Sequence, residues 1–363
     1  MINFKGVIMY LKNDRLKRIV QFLAGMFGTL FLLTCLTFQV NASQLNFSVD
    51  PVLPENQYHA NHTYFDLMVA PNQTQELVIN MKNDTKKEVI VIPEIHPATT
   101  NINGVVEYGE SSGKLDDSAP FNIQDVLTSE EEEIVIPAEG EKVAKFHLVI
   151  PNQPFQGIVA GGITLKEKDT EEKSEQSEET QGLAIENKYA YVIATVLRET
   201  EEVSEKSLTL VDVAADQVNA RNVINATLQN TQADYLNQLE VQTKVKRKGS
   251  DEVLYSTTKN NMQMAPNTSF DFPTKLEGKK LEAGDYVLEL AAKSGEKKWS
   301  FSKQFTITSK KADDLNKKDV TIGEDHKEDY ALIGLGVIIL LLIGIVLVYL
   351  LKKGKRTPSN LDK

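Results

Sequence analysis

Cysteine is almost missing. The 363 residues contain one, Cys35, inside an apolar run near the N-terminus. No thiol remains beyond residue 42, which excludes disulfides, thiolate metal centres and cysteine nucleophiles from the folded domains. Positive charge is in deficit, with 40 Lys and Arg against 51 Asp and Glu, a net charge of −11. Both chain ends are basic, so the stretch between them is more acidic still. A nucleic-acid partner needs a cationic face and is excluded. Long amphipathic helical periodicity is absent, and so are a phosphate loop, a cofactor fingerprint and paired carboxylates in a cleft. No cofactor is expected, and binding is favoured over catalysis.

Long apolar runs occur only at the two ends. Residues 1–18 carry Lys5, Lys12, Arg15, Lys17 and Arg18, residues 19–38 are apolar, and Val40-Asn41-Ala42 ends on small residues. This pattern predicts a signal peptide over 1–42, cleaved after Ala42. A lipoprotein signal at Leu32-Leu33-Thr34-Cys35 is the competitor, but Thr34 stands where Gly, Ala or Ser is required. Residues 331–351 carry no charge. As a helix they would measure about 31 Å, which predicts a single transmembrane helix. Lys352, Lys353, Lys355 and Arg356 follow, so the tail 352–363 is expected in the cytoplasm and the rest outside a cell membrane. The span has no G-x-x-x-G pair, and no L-P-x-T-G precedes it.

Between the ends the apolar period is two. Leu239, Val241, Thr243 and Val245 alternate with Glu240, Gln242, Lys244 and Lys246, and Phe146, Leu148 and Ile150 alternate with Lys145 and His147. These are half-buried strands. Val89 to Ile92 and Tyr189 to Leu197 are apolar on both parities and predict strands covered on both sides. Short strands with turn residues between them recur along the whole stretch. The fold expected is all-β, two tandem immunoglobulin-like β-sandwiches, with the transmembrane helix after them. The first sandwich is expected over 43–200, with an acidic loop at 166–181, and the second over 201–310. A charged linker is expected over 311–330. Phe121 to Thr128 predicts a short helix.

Motifs with a catalytic look are weak. Gly109-Glu110-Ser111-Ser112-Gly113 fits G-x-S-x-G, but Lys114 to Pro120 cannot open the helix a nucleophile elbow needs. His59 and His62, with Glu55 and Asp66 nearby, carry the donor types of a divalent-cation site. Positions i and i+3 in a loop need not converge, so the reading adopted is a polar surface loop and no metal site is assigned. His96 reads as structural, and His147 lies on a polar strand face. The N-x-[ST] triplets at Asn46, Asn61, Asn72, Asn83, Asn225 and Asn267 follow from composition. Glu130 to Glu133 lack the ligand alternation of a calcium loop.

Several strings carry a specific resemblance. They are Phe47-Ser-Val-Asp-Pro-Val-Leu-Pro-Glu-Asn-Gln57, Tyr64-Phe-Asp-Leu67, Val78-Ile-Asn-Met-Lys-Asn83, Ala98-Thr-Thr-Asn-Ile-Asn-Gly-Val-Val-Glu-Tyr108, Phe155-Gln-Gly-Ile-Val-Ala-Gly-Gly-Ile163, Asn187-Lys-Tyr-Ala-Tyr-Val-Ile193 and Leu281-Glu-Ala-Gly-Asp-Tyr286. In this order they resemble the WxL-interacting proteins of Gram-positive surfaces, from about 45 to 351. The resemblance implies a first domain that binds peptidoglycan, a second that binds a host-surface ligand, and a secreted WxL-domain protein as partner. The single tryptophan, Trp299, is followed by Ser300 and Phe301, so this chain is not itself the WxL protein.

A glycan or wall peptide is held by amides, hydroxyls and aromatic faces. Thr99, Thr100, Asn101 and Asn103 with Tyr108 form one such group, and Asn56, Gln57 and Tyr58 a second. The structural alternative is a loop whose side chains bond their own backbone. Gly157, Gly161 and Gly162 read as close strand packing or a bulge rather than ligand contacts. Two other classes stay in view: an assembly factor or chaperone acting through sheet edges, and a cell-wall hydrolase using Ser111 or His62.

Overall fold

The computed structural model describes residues 45–111, 113–168, 189–201 and 205–322. Strands dominate, and their faces follow the period-two pattern. β1 (Ser48–Val52), β3 (Thr74–Lys82), β9 (Glu141–Val149) and β7 (Leu127–Ser129) form one antiparallel sheet in that order. In its centre Leu77 faces Phe146 and Ile79 faces Ala144, all four buried, while Lys145 and His147 point out. Each such buried pair removes apolar area from water on one side only, which fixes the register against a one-residue slip.

The second sheet of this sandwich has the order β2 (Phe65–Met68), β11 (Ala190–Arg198), β10 (Ile158–Glu167), β4 (Val89–Pro97) and β8 (Ile134–Ile136). β11 pairs antiparallel with β10 and parallel with β2, so this segment, late in the chain, completes the first sandwich. β10 is buried on both faces from Val159 to Leu165. Glycine makes that possible. A Cβ on Gly161 would lie 2.5 Å from Ile123 Cγ2, and one on Gly162 would lie 2.9 Å from Tyr108 Cβ. The two bare positions let neighbouring segments close on both sides of the strand. Ile123 comes from a single 3-10 turn, Ile123–Asp125, capped by the Asn122 side chain. Phe121 to Thr128 therefore forms that turn and then β7, not a helix.

Beyond it, β12 (Thr209–Val218), β13 (Arg221–Asn230) and β16 (Thr268–Lys275) make a three-stranded sheet. β15 (Val253–Met264), β14 (Leu236–Arg247), β17 (Gly284–Ser294) and β18 (Lys297–Ile307) make the four-stranded sheet opposite. One core joins them, with Ile224, Leu228 and Phe272 from the first and Val241, Val245, Leu288 and Leu290 from the second. A hydrogen bond of 2.7 Å between the buried Thr243 and Thr274 hydroxyls crosses between the sheets. Tyr286 is buried, stacks on Phe305 and donates its hydroxyl to Glu282 O at 2.8 Å. This is the tyrosine-corner arrangement of β-sandwiches, and it accounts for the Leu281 to Tyr286 string.

The C-terminal part of the described chain departs from the sequence reading. α1 (Ser309–Asn316) opens inside the stretch expected as a linker, with Thr308 as its cap. Its Ala312 and Leu315 enter the second core. Asn316 then exchanges two hydrogen bonds with the Leu281 backbone, both 2.9 Å. Asp319 is buried and accepts from Asn222 N at 2.7 Å, Thr321 N at 2.7 Å and the Thr321 hydroxyl at 2.6 Å. Charged composition alone marked the segment as solvated, but its few apolar residues share one helical face.

The transmembrane helix expected at 331–351 lies outside the described residues, and the fold class is corrected. Among the described residues no helix is long and apolar enough to cross a membrane. The α-helix that is present, α1, spans eight residues, about 12 Å, and carries Lys310, Lys311, Asp313 and Asp314. Among the described residues the fold is all-β with one short α-helix. The single-pass cell-membrane location, which rested on the same helix, falls with it. The signal peptide at 1–42, most of the acidic loop and the tail 352–363 also lie outside the described residues.

Burial pushes the Asp319 carboxyl up, but donation from Thr321, Asn222 and Ile322 outweighs it and holds the group below its ordinary 3.8. A carboxyl lowered on folding stabilises fully above its unfolded value and loses that contribution as pH falls through the folded value. Asp319→Asn is therefore expected to cost about 1–3 kcal/mol at neutral pH. The deficit should shrink below about pH 4, as urea unfolding of both chains across pH would show.

Candidate functional site

The segment between β1 and β2 is pinned back along β2. Tyr58 N donates to Asp66 O at 2.6 Å and Met68 N to Asn56 O at 2.9 Å, around an antiparallel bridge of Gln57 with Leu67. β2 is an edge strand, and this segment occupies its open side. Side chains reinforce the fit. Asn56 Nδ2 donates to Met68 O at 2.8 Å and to Gln75 Oε1 at 2.9 Å. Gln57 donates to Tyr64 O at 2.9 Å and accepts from Asp66 N at 3.2 Å. Asn56 and Gln57 thus spend their amides holding the loop, as the structural alternative anticipated.

The loop is built around a buried carboxylate. Asp66 is 1% exposed and sits between Phe65 and Leu67, which point to the opposite face. Its register partner on β11 is Val196. Two residues on, and so on the same face, Arg198 donates from Nη2 to Asp66 Oδ1 at 2.6 Å. The other carboxylate oxygen, Oδ2, lies 2.5 Å from His59 Nδ1 and 3.3 Å from His62 Nδ1. Each of His59, His62 and Asp66 offers a ligand atom, all within 4.8 Å of one another. Glu55 is not part of the group. The convergence that the i, i+3 spacing could not guarantee comes from the turn His62 N to His59 O, 3.2 Å, closing over Asp66.

Four rings follow one another over this carboxylate. Tyr58 meets His59 edge-on at 4.4 Å, His59 lies 4.6 Å from His62, and His62 stacks on Tyr64 at 4.7 Å. The Arg198 guanidinium sits 4.4 Å above the Tyr58 ring. His59 is exposed, while Tyr58, His62 and Tyr64 are half-buried. The result is a polar and aromatic surface with a fixed charge pair beneath it. Burial pushes the Tyr64 hydroxyl up, helped by the Asp66 charge, so it stays a neutral donor.

The other predicted group lies elsewhere. Thr99 and Thr100, in β5 (Thr99–Thr100), are both buried. The Thr100 hydroxyl meets that of Thr268 at 2.9 Å and accepts from Ala265 N at 2.9 Å. Asn101 Oδ1 accepts from Asn103 N at 2.8 Å and Val105 N at 3.2 Å, a turn closed on its own backbone. Asn103 Oδ1 accepts from Lys259 at 3.3 Å. Gly104 packs on Met262 and accepts from Gln263 N at 2.8 Å. Tyr108 OH lies 3.1 Å from Tyr235 OH. Burial pushes both phenols up, Tyr235 strongly. These residues join the two sandwiches, which belong to one compact unit. Ala98, Ala160, Val196 and Ala265 form the apolar part of the seam, with Tyr64, Tyr108 and Tyr235 against it.

Of the eight predicted site residues, only Tyr58 lies in the ring surface itself. Arg198 was missed. Its signal was an Arg closing the apolar run Tyr189 to Leu197, where a cation beside buried strands calls for a buried carboxylate. Ser111 donates to Glu107 at 2.9 Å and accepts from Gly113 N at 3.1 Å. Among the described residues no helix follows it before the turn at Ile123. His96 pairs with Glu94 at 3.0 Å, and His147 lies on the outer face of β9.

Two β-sandwiches joined by a polar seam, the first presenting aromatic and imidazole rings, make a tandem-module architecture. The family model for the WxL Interacting Protein peptidoglycan binding domain matches residues 47–167, and that for the host binding domain matches 180–317. The chain belongs to the WxL-interacting protein family. No curated protein matches it. Among solved structures, the Pseudomonas aeruginosa CupB2 chaperone is similar at 11% identity, covering 65% of this chain and 95% of that one, with a TM-score of 0.26. The CsuC–CsuE chaperone–tip adhesion subunit pre-assembly complex of Acinetobacter baumannii matches at 10% identity, covering 71% and 98%, with a TM-score of 0.29. The PapD-like domain 7 of human CEP192 matches at 10% identity, covering 46% and 97%, with a TM-score of 0.28.

If Tyr108 serves the seam, Tyr108→Phe removes one hydroxyl from a half-buried pair. Chemical denaturation should show a loss of about 1 kcal/mol, and binding to any wall material should be unchanged.

Proposed function

We propose that the first sandwich attaches the protein to peptidoglycan through the ring surface of Tyr58, His59, His62 and Tyr64. The observation that carries this reading is a run of four rings over a fixed charge pair, within the stretch matched by the peptidoglycan-binding model. Sugar rings stack on aromatic faces, and the amides and carboxylates of wall peptides find donors and acceptors at its margin. A neutral or zwitterionic polymer also suits a chain of net charge −11, which would repel an anionic one. The second sandwich takes a host-surface ligand, and a secreted WxL-domain protein is the partner, as the family descriptions suggest. The protein acts by adhesion and makes no covalent change in the polymer.

The test is co-sedimentation of the full chain with purified sacculi. The intact chain pellets and releases no soluble muropeptides. Truncating Tyr58 and His59 together to Ala should weaken binding by at least about fivefold, the effect of removing an aromatic anchor worth more than about 1 kcal/mol. Undiminished binding of that double variant would move the contact elsewhere. Release of muropeptides would make the protein a hydrolase.

A further inference from the structure

We propose that His59, His62 and Asp66 form a binding site for a transition-metal ion of the zinc class. The donor set is two imidazoles and one carboxylate, the set that suits such ions. Their ligand atoms lie within 4.8 Å of one another on a hairpin held by its own backbone bonds. His62 Nδ1 is buried and has no hydrogen-bond partner. It stands 3.3 Å from Asp66 Oδ2, out of line for a hydrogen bond. A tetrahedral ion with bonds of about 2.0–2.2 Å places its ligand atoms about 3.3–3.6 Å apart, so this edge of the polyhedron is already set.

His59 Nδ1 is closer to Oδ2, at 2.5 Å, and must swing back by about 1 Å to share an ion. Its side chain is 47% exposed and free to do so. Asp66 cannot turn away, because Arg198 holds Oδ1 at 2.6 Å and leaves Oδ2 facing the imidazoles. Arg198 is thus a positioning residue for the ligand carboxylate, the outer-shell role common at metal sites. Its charge also offsets part of that of Asp66. This weakens the site for calcium and magnesium, which depend on several charged oxygens, more than for an ion that bonds to imidazole nitrogen. Water would supply the fourth ligand, since among the described residues no further His, Cys, Asp or Glu joins the group. The donor set stands whether or not the ring surface meets peptidoglycan.

The test uses the full chain, stripped of metal with a chelator and titrated calorimetrically with zinc chloride. One ion per chain is expected, displaced by neither calcium nor magnesium. Cobalt(II) in its place should give the intense visible absorption of a four-coordinate site. His62→Ala and His59→Ala should each weaken binding by at least about tenfold. His59 also contacts the buried Asp66, so its loss lowers the metal-free melting temperature; far-UV circular dichroism of each metal-free variant should keep the all-β spectrum, which separates lost binding from lost fold. No heat at saturating zinc, or zinc binding unchanged in His62→Ala, would overturn the site. Sacculus co-sedimentation run in chelator reports on the wall contact separately, so either proposal can fail alone.

Discussion

A carboxylate buried to 1% exposure is the constraint around which the first sandwich arranges its surface. An isolated charge at that depth is prohibitively costly, so the fold must bring cations and donors to it. Arg198 answers from β11 and the histidines answer from the loop. β11 lies far along the chain from β2, yet the parallel ladder sets Arg198 beside Asp66 by register alone. The same ion pair then carries Tyr58 beneath the guanidinium, which orders the outermost ring. Sheet pairing, burial and the exposed rings are one connected arrangement.

The seam between the sandwiches follows a different logic. It is small in apolar content, with alanines at its centre, and it relies on satisfied polar contacts. Thr100 and Thr268 meet through hydroxyls, Asp116 N reaches Asn267 O at 2.8 Å, and Ile158 N reaches Ala233 O at 2.6 Å. Small side chains let the backbones come close enough for these bonds, and each buried group that finds a partner avoids a cost of about 1–3 kcal/mol. Tyr64 touches both regions, stacking on His62 on one side and packing into the seam on the other. The ring surface is therefore mounted on the joint and not on a free loop.

Period-two alternation makes β9 and β14 legible in the sequence, because half-buried strands write their faces into it. The double glycine at 161–162 marks close packing, and two missing Cβ atoms flanked by apolar strand are the sequence sign of it. The polar group at 99–108 lies at the seam. Thr, Asn and Tyr are the residues of a sugar site and equally those of a wet seam, and composition does not distinguish the two. His59 and His62 were visible, but their convergence depends on a turn and on Asp66, which only the tertiary structure supplies. α1 was hidden by its charges, because two buried residues in eight give a weak periodic signal.

Coupling between Asp66 and Arg198 tests this account most directly. A double-mutant cycle with Asp66→Asn and Arg198→Met, read by denaturant unfolding, measures it. Each single change should cost about 3–5 kcal/mol, because each strands a buried partner. The double variant should cost far less than their sum. Additive losses would contradict the claim that this pair organises the surface above it.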